Sequence, residues 1–408
     1  MLRFGRHAAR GIHKRWFVAV AGGSAVTAFF LDSPQYADTA AAKLSSRVYS
    51  WGASHFGQLG LGDEVNRALP TLVETLDDLD VVQIATAEDN VVAVDANGKV
   101  YCWGKGLRKV LGLGATSNVS IPTLVDVGNG KRVRQVSCSS MVCAAVTEDG
   151  MVYTWGSLAL GRPGDGAVPE RVEGVSDVES VACGRNHVMA VTSRGELYAW
   201  GSGYQGALGL GGMNDYNTPK LVAALQGTPV KKVAAGNGYT LLLTQAGEVL
   251  SCGANDYGQS GLGAAASRYI RTFTHIPALS GKVVVDVHAG PYHAACATAD
   301  GQMFVWGLGQ DGQIGNGTNA VHNTVPQQPV NFDRPVAQVC CGSSHTGAIT
   351  DKGELWLWGK GRDGQLGRSV GSVAARTNTP MLVEALRGKK VGQVALGGAF
   401  TMALAQRV

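Results

Sequence analysis

Val48-Tyr49-Ser50-Trp51-Gly52 is the first copy of a short motif that recurs along the chain and decides its fold. The motif contains Trp-Gly in six copies and Cys-Gly in one, at intervals of 52, 52, 45, 52, 54 and 52 residues. The copies are marked by Trp51, Trp103, Trp155, Trp200, Cys252, Trp306 and Trp358. A repeat of this length is typical of arrays in which each unit buries its apolar face against the next one.

Each motif is predicted to lie on a strand. The residue two positions before the Trp or Cys is also large and apolar in every copy: Tyr49, Tyr101, Tyr153, Tyr198, Leu250, Phe304 and Trp356. Residues two apart on a strand point to the same face, so we expect both large side chains of each copy to be buried on one side.

A glycine-rich loop and a proline follow most of the motifs. The loops stand at residues 57–62, 206–211, 258–261 and 364–367. We expect the proline to begin a short apolar strand, because the first strand position need not donate a ladder hydrogen bond. These prolines are Pro70, Pro122, Pro169, Pro219 and Pro380.

The last third of each unit predicts a hairpin. Asn97-Gly98 between two β-rich runs is a strong hairpin signal, because the turn needs a positive φ. Six such hairpins link the seven motif strands, which leaves residues 47–51 without a partner before them and residues 400–404 without one after them. If these two ends pair, the ring closes and exposes no long edge. Residues 47–408 are therefore predicted to be all-β, a closed seven-bladed β-propeller with about four strands per blade.

The unit resembles the regulator of chromosome condensation repeat. The resemblance rests on Val-Tyr-x-Trp-Gly, on Gly-Gln-Leu-Gly-Leu-Gly at residues 57–62, and on Val-Ala-Cys-Gly-Arg-Asn-His at residues 181–187, with further copies at 290–293 and 342–345. It covers about nine tenths of the chain and implies a seven-bladed propeller. Members of this family include a nuclear exchange factor for a small GTPase, ubiquitin-ligase modules, a plant ultraviolet photoreceptor, and mitochondrial proteins tied to respiratory-complex or ribosome assembly.

The sequence lacks features that two of these family members use for their activities. The exchange factor of the family uses an inserted β-wedge, and no such insertion separates the hairpins here. The photoreceptor uses Gly-Trp-Arg-His-Thr turns, whereas the equivalent residues 236–240 and 342–346 contain no Trp. The resemblance to the mitochondrial members thus indicates a non-enzymatic protein-interaction scaffold, acting in the assembly of, or as a component of, a respiratory or other large complex. Exchange activity on a mitochondrial small GTPase and mitochondrial ribosome assembly remain the alternatives.

The first 31 residues form a separate region. On a helix, Phe4, Ala8, Ile12 and Trp16 would lie opposite most of the basic residues, and no Asp or Glu precedes Asp32, a pattern typical of a mitochondrial presequence. Residues 16–31 carry no charge and are slightly short for a membrane span of about 20 residues. We expect residues 1–31 to be a helical presequence and membrane anchor, and residues 32–46 a linker. A cleaved matrix presequence and a secretory signal are the competing interpretations.

If the anchor forms, the positive-inside tendency predicts how the protein is oriented. The basic end would stay in the matrix, so that the propeller would lie on the intermembrane-space side of the inner membrane. A cleaved presequence would instead leave the propeller in the matrix.

The charge of the propeller argues against nucleic-acid binding. The whole chain has a net charge of +4, but its first 31 residues carry five basic side chains and no acidic one. The remainder has 30 basic and 31 acidic residues, so it lacks the basic excess of most nucleic-acid binders. We therefore expect protein partners, bound through the loop-bearing faces of the propeller.

The sequence predicts no catalytic, cofactor or metal site. Cys138, Cys183 and Cys341 share a repeat position with alanines, which indicates a small buried position, and no cysteine pair has convincing zinc-ligand spacing. His187, His293 and His345 also share one position, and a structural role at a blade turn is favoured over catalysis. The glycine-rich loops lack the Lys-Ser/Thr of a phosphate-binding loop. The departures from the repeat, at residues 157–164, Cys252 and residues 264–271, are either drift or binding loops.

Overall fold

The computed structural model describes residues 46–157, 164–368 and 376–407. These residues form seven four-stranded antiparallel sheets, which confirms the predicted seven-bladed propeller. The predicted presequence and anchor (1–31) and all but the last residue of the predicted linker (32–46) lie outside the described residues. No helix in the described part of the chain is long and apolar enough to cross a membrane.

Each blade contains an innermost, a second, a third and an outer strand. The innermost strands are β3 (Val81–Thr86), β7 (Val133–Cys138), β11 (Val178–Cys183), β15 (Val230–Ala235), β19 (Val284–Ala289), β23 (Val336–Cys341) and β27 (Val391–Leu396). The second strands are β4 (Asn90–Asp95), β8 (Val142–Thr147), β12 (His187–Thr192), β16 (Tyr239–Thr244), β20 (His293–Thr298), β24 (His345–Thr350) and β28 (Phe400–Gln406).

The motif strands are the third strands, β5 (Val100–Gly104), β9 (Val152–Gly156), β13 (Leu197–Gly201), β17 (Val249–Ala254), β21 (Met303–Leu308), β25 (Leu355–Lys360) and β1 (Ser46–Gly52). The outer strands are β6 (Val119–Val125), β10 (Glu170–Arg171), β14 (Tyr216–Leu221), β18 (Tyr269–His275), β22 (His322–Gln327), β26 (Arg376–Leu382) and β2 (Arg67–Leu72). Short 3-10 turns cover Glu74–Leu76, Leu107–Lys109, Tyr204–Gly206, Ala223–Leu225, Pro277–Leu279 and Glu384–Leu386. We number the blades 1 to 7 by their innermost strands, from β3 to β27.

Blade 7 is built from both ends of the propeller, as predicted. Strand β1 pairs with β28 along its whole length, from Ser46 opposite Gln406 to Gly52 opposite Phe400. An ion-pair network joins the same ends, since Asp77 Oδ1 lies 3.0 Å from Arg47 Nε and 2.9 Å from Arg407 Nη2. The ring is therefore closed by a strand pair and by one carboxylate held between two guanidinium groups.

The tryptophans join neighbouring blades. All six motif tryptophans are fully buried, and each packs in the same core cluster as the large residue two positions before it. The prediction that both residues are buried holds only in part, because Tyr49, Tyr101, Tyr198 and Trp356 are partly exposed. In five of the six motif tryptophans, the indole Nε1 donates a hydrogen bond to a carbonyl in the glycine-rich loop of the preceding blade; the exception is Trp200, whose buried Nε1 has no partner among the described residues. Trp103 reaches Gln58 at 3.0 Å, and Trp51 reaches Gln365 at 2.9 Å across the closure of the ring. The other bonds of this type are Trp155 to Val110, Trp306 to Gln259 and Trp358 to Gln313.

Glutamine side chains join the innermost strands. The Gln83 side-chain amide accepts from the Val136 backbone N–H at 2.9 Å and donates to the Val136 carbonyl at 3.0 Å. Gln393 brackets the backbone of Ile84 in the same way across the closure of the ring. These amides supply hydrogen bonds that strand pairing cannot supply, because each sheet ends at its innermost strand.

The glycine of the Trp-Gly motif is required by its backbone geometry. Gly307 has φ +102°, and a Cβ built on it would lie 2.6 Å from the Tyr292 carbonyl oxygen in the turn between the first two strands. The equivalent glycine in every blade has φ between +97° and +112°. An L side chain is strained at such a φ, and here it would also meet backbone atoms that cannot move aside.

The predicted position of the prolines is wrong for four of the five. Pro70 is the fourth residue of β2, and Pro122, Pro219 and Pro380 likewise lie inside β6, β14 and β26. The reason is that these are outer strands, with one edge unpaired, and that the pairing register of β2 skips residues 68–70. Only Pro169 stands directly before its strand, the two-residue β10.

The replacement of Trp by Cys252 is compensated within its own blade. In five other blades the indole lies over a glycine of the preceding loop; here a Cβ on the equivalent Gly209 would overlap the ring of Phe273 from β18. Cys252 Sγ still lies 3.4 Å from the Ala207 carbonyl oxygen that a Trp would reach. Phe273 therefore fills the space of the missing indole.

Replacing Gly307 by Ala should destabilise the propeller by at least about 2 kcal/mol, because of positive φ and backbone overlap. The matched control is Gly392→Ala on innermost strand β27, where an added Cβ meets nothing within 4 Å. Urea unfolding followed by circular dichroism measures both. Equal effects of the two substitutions would show that the motif glycine has no special backbone role.

Cys252→Trp should destabilise the protein by about 2 kcal/mol, because the indole and Phe273 would compete for one space. Adding Phe273→Ala to Cys252→Trp should recover part of this loss, whereas Phe273→Ala alone should be destabilising. A double-mutant cycle of urea midpoints measures the coupling. Strictly additive effects would contradict the compensation.

Candidate interaction surfaces

The propeller has two loop-bearing faces. Because the strands of each blade are antiparallel, the turn between the first two strands and the glycine-rich loop between the third and outer strands lie at the same end. The Lys105 backbone N–H donates to the Asp89 carbonyl across these two connections. We call this end the loop face. The second-to-third hairpins and the connections between blades form the other end, the hairpin face.

The glycine amides of the first glycine-rich loop are bonded within the protein. In residues 57–62 the backbone N–H of Gly57 donates to Ser54, that of Gly60 to Gly57, and that of Gly62 to Ser120, each at 2.9 Å. A phosphate cradle needs such amides directed at the ligand. These three glycine amides are used within the loop and by the next blade, and the Gln58 carbonyl accepts the indole of Trp103, so this arrangement favours a connecting role.

The three equivalent histidines bridge blades. His187, His293 and His345 begin the second strands of blades 3, 5 and 6 and are at most 1% exposed. Each Nε2 contacts the hydroxyl of a threonine in the next blade: Thr240 at 2.9 Å, Thr346 at 2.9 Å and Thr401 at 3.1 Å. These threonines were not predicted from the sequence, although each directly follows the histidine position of its own unit.

The hydroxyl of each threonine donates a hydrogen bond to the loop carbonyl that also accepts the indole or thiol of that blade. Thr346 Oγ1 donates to Gln313 at 2.7 Å, and Thr401 Oγ1 donates to Gln365 at 2.8 Å. Since the hydroxyl proton is used in that bond, the histidine must donate to the hydroxyl oxygen, so the neutral ring carries its proton on Nε2. Burial lowers the pKa of His187 to about 4 and that of His293 and His345 to about 3. These imidazoles are neutral donors and are poorly suited to catalysis at neutral pH.

The eight cysteines are buried and free. One cysteine and histidine pair resembles a nucleophile and its base, because Cys340 Sγ on β23 lies 3.7 Å from His288 Nε2 on β19. His288 Nδ1 accepts the Cys341 N–H at 3.1 Å, so the neutral ring carries its proton on Nε2. Nε2 faces the thiol and therefore cannot act as the base that removes the thiol proton. Burial also raises the pKa of Cys340 to about 12. In the described part of the chain, no group of three or more His, Cys, Asp or Glu could hold a metal ion.

Of the departures from the repeat, the long segment at residues 264–271 lies on the loop face, whereas Cys252 is buried. Residues 158–163 of the short third unit lie outside the described residues. The long segment of the fifth unit, residues 264–271, leads into β18, where Tyr269 lies 6.3 Å from Tyr204 between ring centroids. Tyr204 is 63% exposed. Tyr257, which lies in the same blade as Tyr269, contacts Tyr292 and His322 of the next blade, at 5.4 and 5.9 Å between ring centroids.

These five rings form a surface that we call the aromatic patch: Tyr204, Tyr257, Tyr269, Tyr292 and His322. The turn of blade 4 adjoins one part of it, since the Asn237 side chain donates to the Tyr292 hydroxyl at 2.7 Å. Aromatic side chains of this kind are enriched at the centres of protein interfaces. The patch is the feature of the loop face best suited to a protein partner.

The buried histidines predict acid sensitivity. A folded-state pKa of about 3 below an unfolded value of about 6.5 means that stability is complete above pH 6.5 and is lost as the pH falls from 6.5 toward 3. Blade 1 has an asparagine, Asn90, at the position of His345. The wild-type protein loses free energy of unfolding between pH 7.5 and pH 5, and His345→Asn should make that loss smaller by about 2 kcal/mol. Urea midpoints at the two pH values test this, with His55→Asn at an exposed site of the same face as control. A wild-type pH profile in His345→Asn would contradict the account.

Comparison with known proteins agrees with this geometry. Residues 118–407 match the RCC1-like domain, and residues 45–94 match the regulator of chromosome condensation (RCC1) repeat. The ultraviolet-B receptor UVR8 of Arabidopsis thaliana is 35% identical over 83% of this chain and 78% of the receptor. The human E3 ubiquitin-protein ligase HERC2 is 37% identical over 88% of this chain, which spans only 8% of that ligase.

Two further similarities cover nearly the whole propeller. The RCC1 domain-containing protein RUG3, mitochondrial, of Arabidopsis thaliana is 29% identical over 88% of this chain and 89% of RUG3. The crystal structure of human WBSCR16 superposes with a TM-score of 0.78 at 25% identity, covering 88% of this chain and 99% of that structure. The repeat, the seven blades and these matches together show that the chain belongs to the RCC1 family of β-propellers.

Proposed function

We propose that this protein is a non-enzymatic mitochondrial scaffold that binds protein partners, either in the assembly of a respiratory or other large complex or as one of its components. The observation that carries the proposal is that different residues of the propeller hold the blades together and face the solvent. The repeated tryptophans, histidines, threonines and loop amides are used between blades, whereas the aromatic patch is presented to solvent. Such a molecule offers a surface to partners, and its fold alone does not imply an activity.

The mitochondrial part of the proposal has two supports. The similar protein RUG3 is described as mitochondrial. Residues 1–31 have the basic, acid-free amphipathic pattern of a presequence. We further propose that residues 16–31 anchor the protein in the inner membrane, that residues 32–46 are a linker, and that the propeller faces the intermembrane space.

Proteinase treatment of mitochondria and mitoplasts tests the location. The full chain with a carboxyl-terminal tag should be protected in intact mitochondria, be digested in mitoplasts and stay in the membrane fraction after carbonate extraction. Protection in mitoplasts would place the propeller in the matrix and favour ribosome assembly. Absence from mitochondria would overturn the proposal.

The aromatic patch provides the test of the scaffold role. Tyr204→Ser should release the protein from its large complex on native gels, because an exposed aromatic anchor is removed. Leu107→Ser is the matched control, since Leu107 is 53% exposed at the equivalent loop position of blade 1. Equal loss of co-migration in both variants would contradict a specific surface. Accelerated GDP release from a mitochondrial small GTPase by the purified propeller would instead support an exchange factor.

A further inference from the structure

Blade 6 carries a group of cations at the start of its glycine-rich loop, on the loop face. Lys360 is the last residue of β25, Arg376 is the first residue of β26, and the two face each other in the strand register. Arg362 follows Lys360 by two residues, and both arginines are exposed. We call Lys360, Arg362 and Arg376 the blade 6 cation group.

Two like charges directly opposite on a strand pair are unfavourable. Among the described residues, none of the three cations forms an ion pair: Arg376 Nη1 donates instead to the Gln310 carbonyl at 3.0 Å. The nearby loop carboxylates, Asp311 and Asp363, form no ion pair in that set either. The described propeller therefore supplies no ion-pair partner to any of the three cations.

The repeat provides an internal comparison. Lys105 occupies in blade 1 the position of Lys360, with the same backbone bond to the neighbouring turn: Lys105 N–H to Asp89, and Lys360 N–H to Ser344. In blade 1 the turn residue is acidic, and Asp89 Oδ2 lies 3.2 Å from Lys105 Nζ. In blade 6 the equivalent residue is Ser344, so Lys360 lacks the counter-charge that its counterpart has.

From this charge imbalance we infer that the blade 6 cation group is a docking site for an acidic segment of a partner protein. The inference rests on the proposed function to the extent that the propeller binds proteins, and it adds the chemistry of the partner. Carboxylates of an extended acidic segment would supply the charge that Asp89 supplies in blade 1. They would also relieve the repulsion between Lys360 and Arg376.

The surroundings favour an acidic peptide over a phosphate ion or a nucleic acid. In the described part of this loop, the amides of Gly364 and Gly367 are used by the Gly361 and Gly364 carbonyls, so these two glycines do not offer a backbone cradle to an anion. The aromatic patch lies on blades 3 to 5, and blade 6 offers no exposed ring among its described residues on which bases could stack. Flexible cations without a cradle or a stacking surface match carboxylates carried on a chain.

The test uses the full chain and a fluorescein-labelled peptide that alternates Glu and Ala, with a Gln-Ala peptide as the uncharged probe. Fluorescence anisotropy should show salt-sensitive binding of the Glu peptide only. The triple variant Lys360→Gln/Arg362→Gln/Arg376→Gln should weaken that binding by about tenfold, the size expected for three exposed ion pairs.

The matched control is Arg67→Gln/Lys105→Gln/Lys109→Gln, which removes the same charge from cations already paired with Asp63, Asp89 and Asp165. It should bind the Glu peptide as the wild type does. Equal weakening in both triple variants would show a general charge effect and overturn the inference, as would no binding of the Glu peptide. Tighter binding of a single-stranded oligonucleotide or of inorganic phosphate, lost in the blade 6 variant, would also overturn it.

These outcomes are separate from those of the proposed function. A protein that co-migrates with a large complex but does not bind the Glu peptide keeps its scaffold role and loses this docking site. Circular dichroism melting of both triple variants confirms that each is folded before binding is compared.

Discussion

The hydrogen bond from a buried indole to a loop carbonyl of the preceding blade is the interaction on which this structure depends. Each sheet ends at its own innermost strand, so neighbouring blades are not joined by strand pairing. Contact between blades relies instead on apolar packing and on side chains that cross the gap. Trp51 makes this bond to Gln365 at the closure of the ring, and the same bond joins neighbouring blades at four other junctions.

The same requirement limits where function can reside. The Gln365 carbonyl that accepts the indole also accepts the Thr401 hydroxyl, which in turn contacts His345. These three groups form a hydrogen-bonded chain between blades 6 and 7. Residues that would attract attention as catalytic in another fold are neutral, buried and engaged here. Variation between units is tolerated on the loop face, where loops do not determine the packing of the blades. The aromatic patch and the blade 6 cation group both lie there, and both are places where one unit differs from the others.

Much of the fold could be predicted from the sequence because the repeat states the same information seven times. The spacing of Trp-Gly indicated the blade number, and the surplus strands at residues 47–51 and 400–404 indicated how the ring closes. The prolines were misplaced because the sequence pattern does not show that the outer strand has a free edge and an irregular register. The role of Phe273 was missed because it depends on a space left by Cys252, which only the packing reveals. The Lys360 and Arg376 pair was missed because the strands that carry it are paired across a long loop.

Hydrogen exchange of strand β1 tests most directly whether the ring is closed through its ends. In a closed ring the amides of Val48, Ser50 and Trp51 are held between β28 and β2, and they should exchange as slowly as those of β13, the motif strand of blade 3. Mass spectrometry of the exchanged protein at neutral pH resolves the peptides that contain the two strands. Similar protection of β1 and β13 is the predicted result, and exchange of β1 that is orders of magnitude faster, as expected of a frayed terminus, would contradict the account.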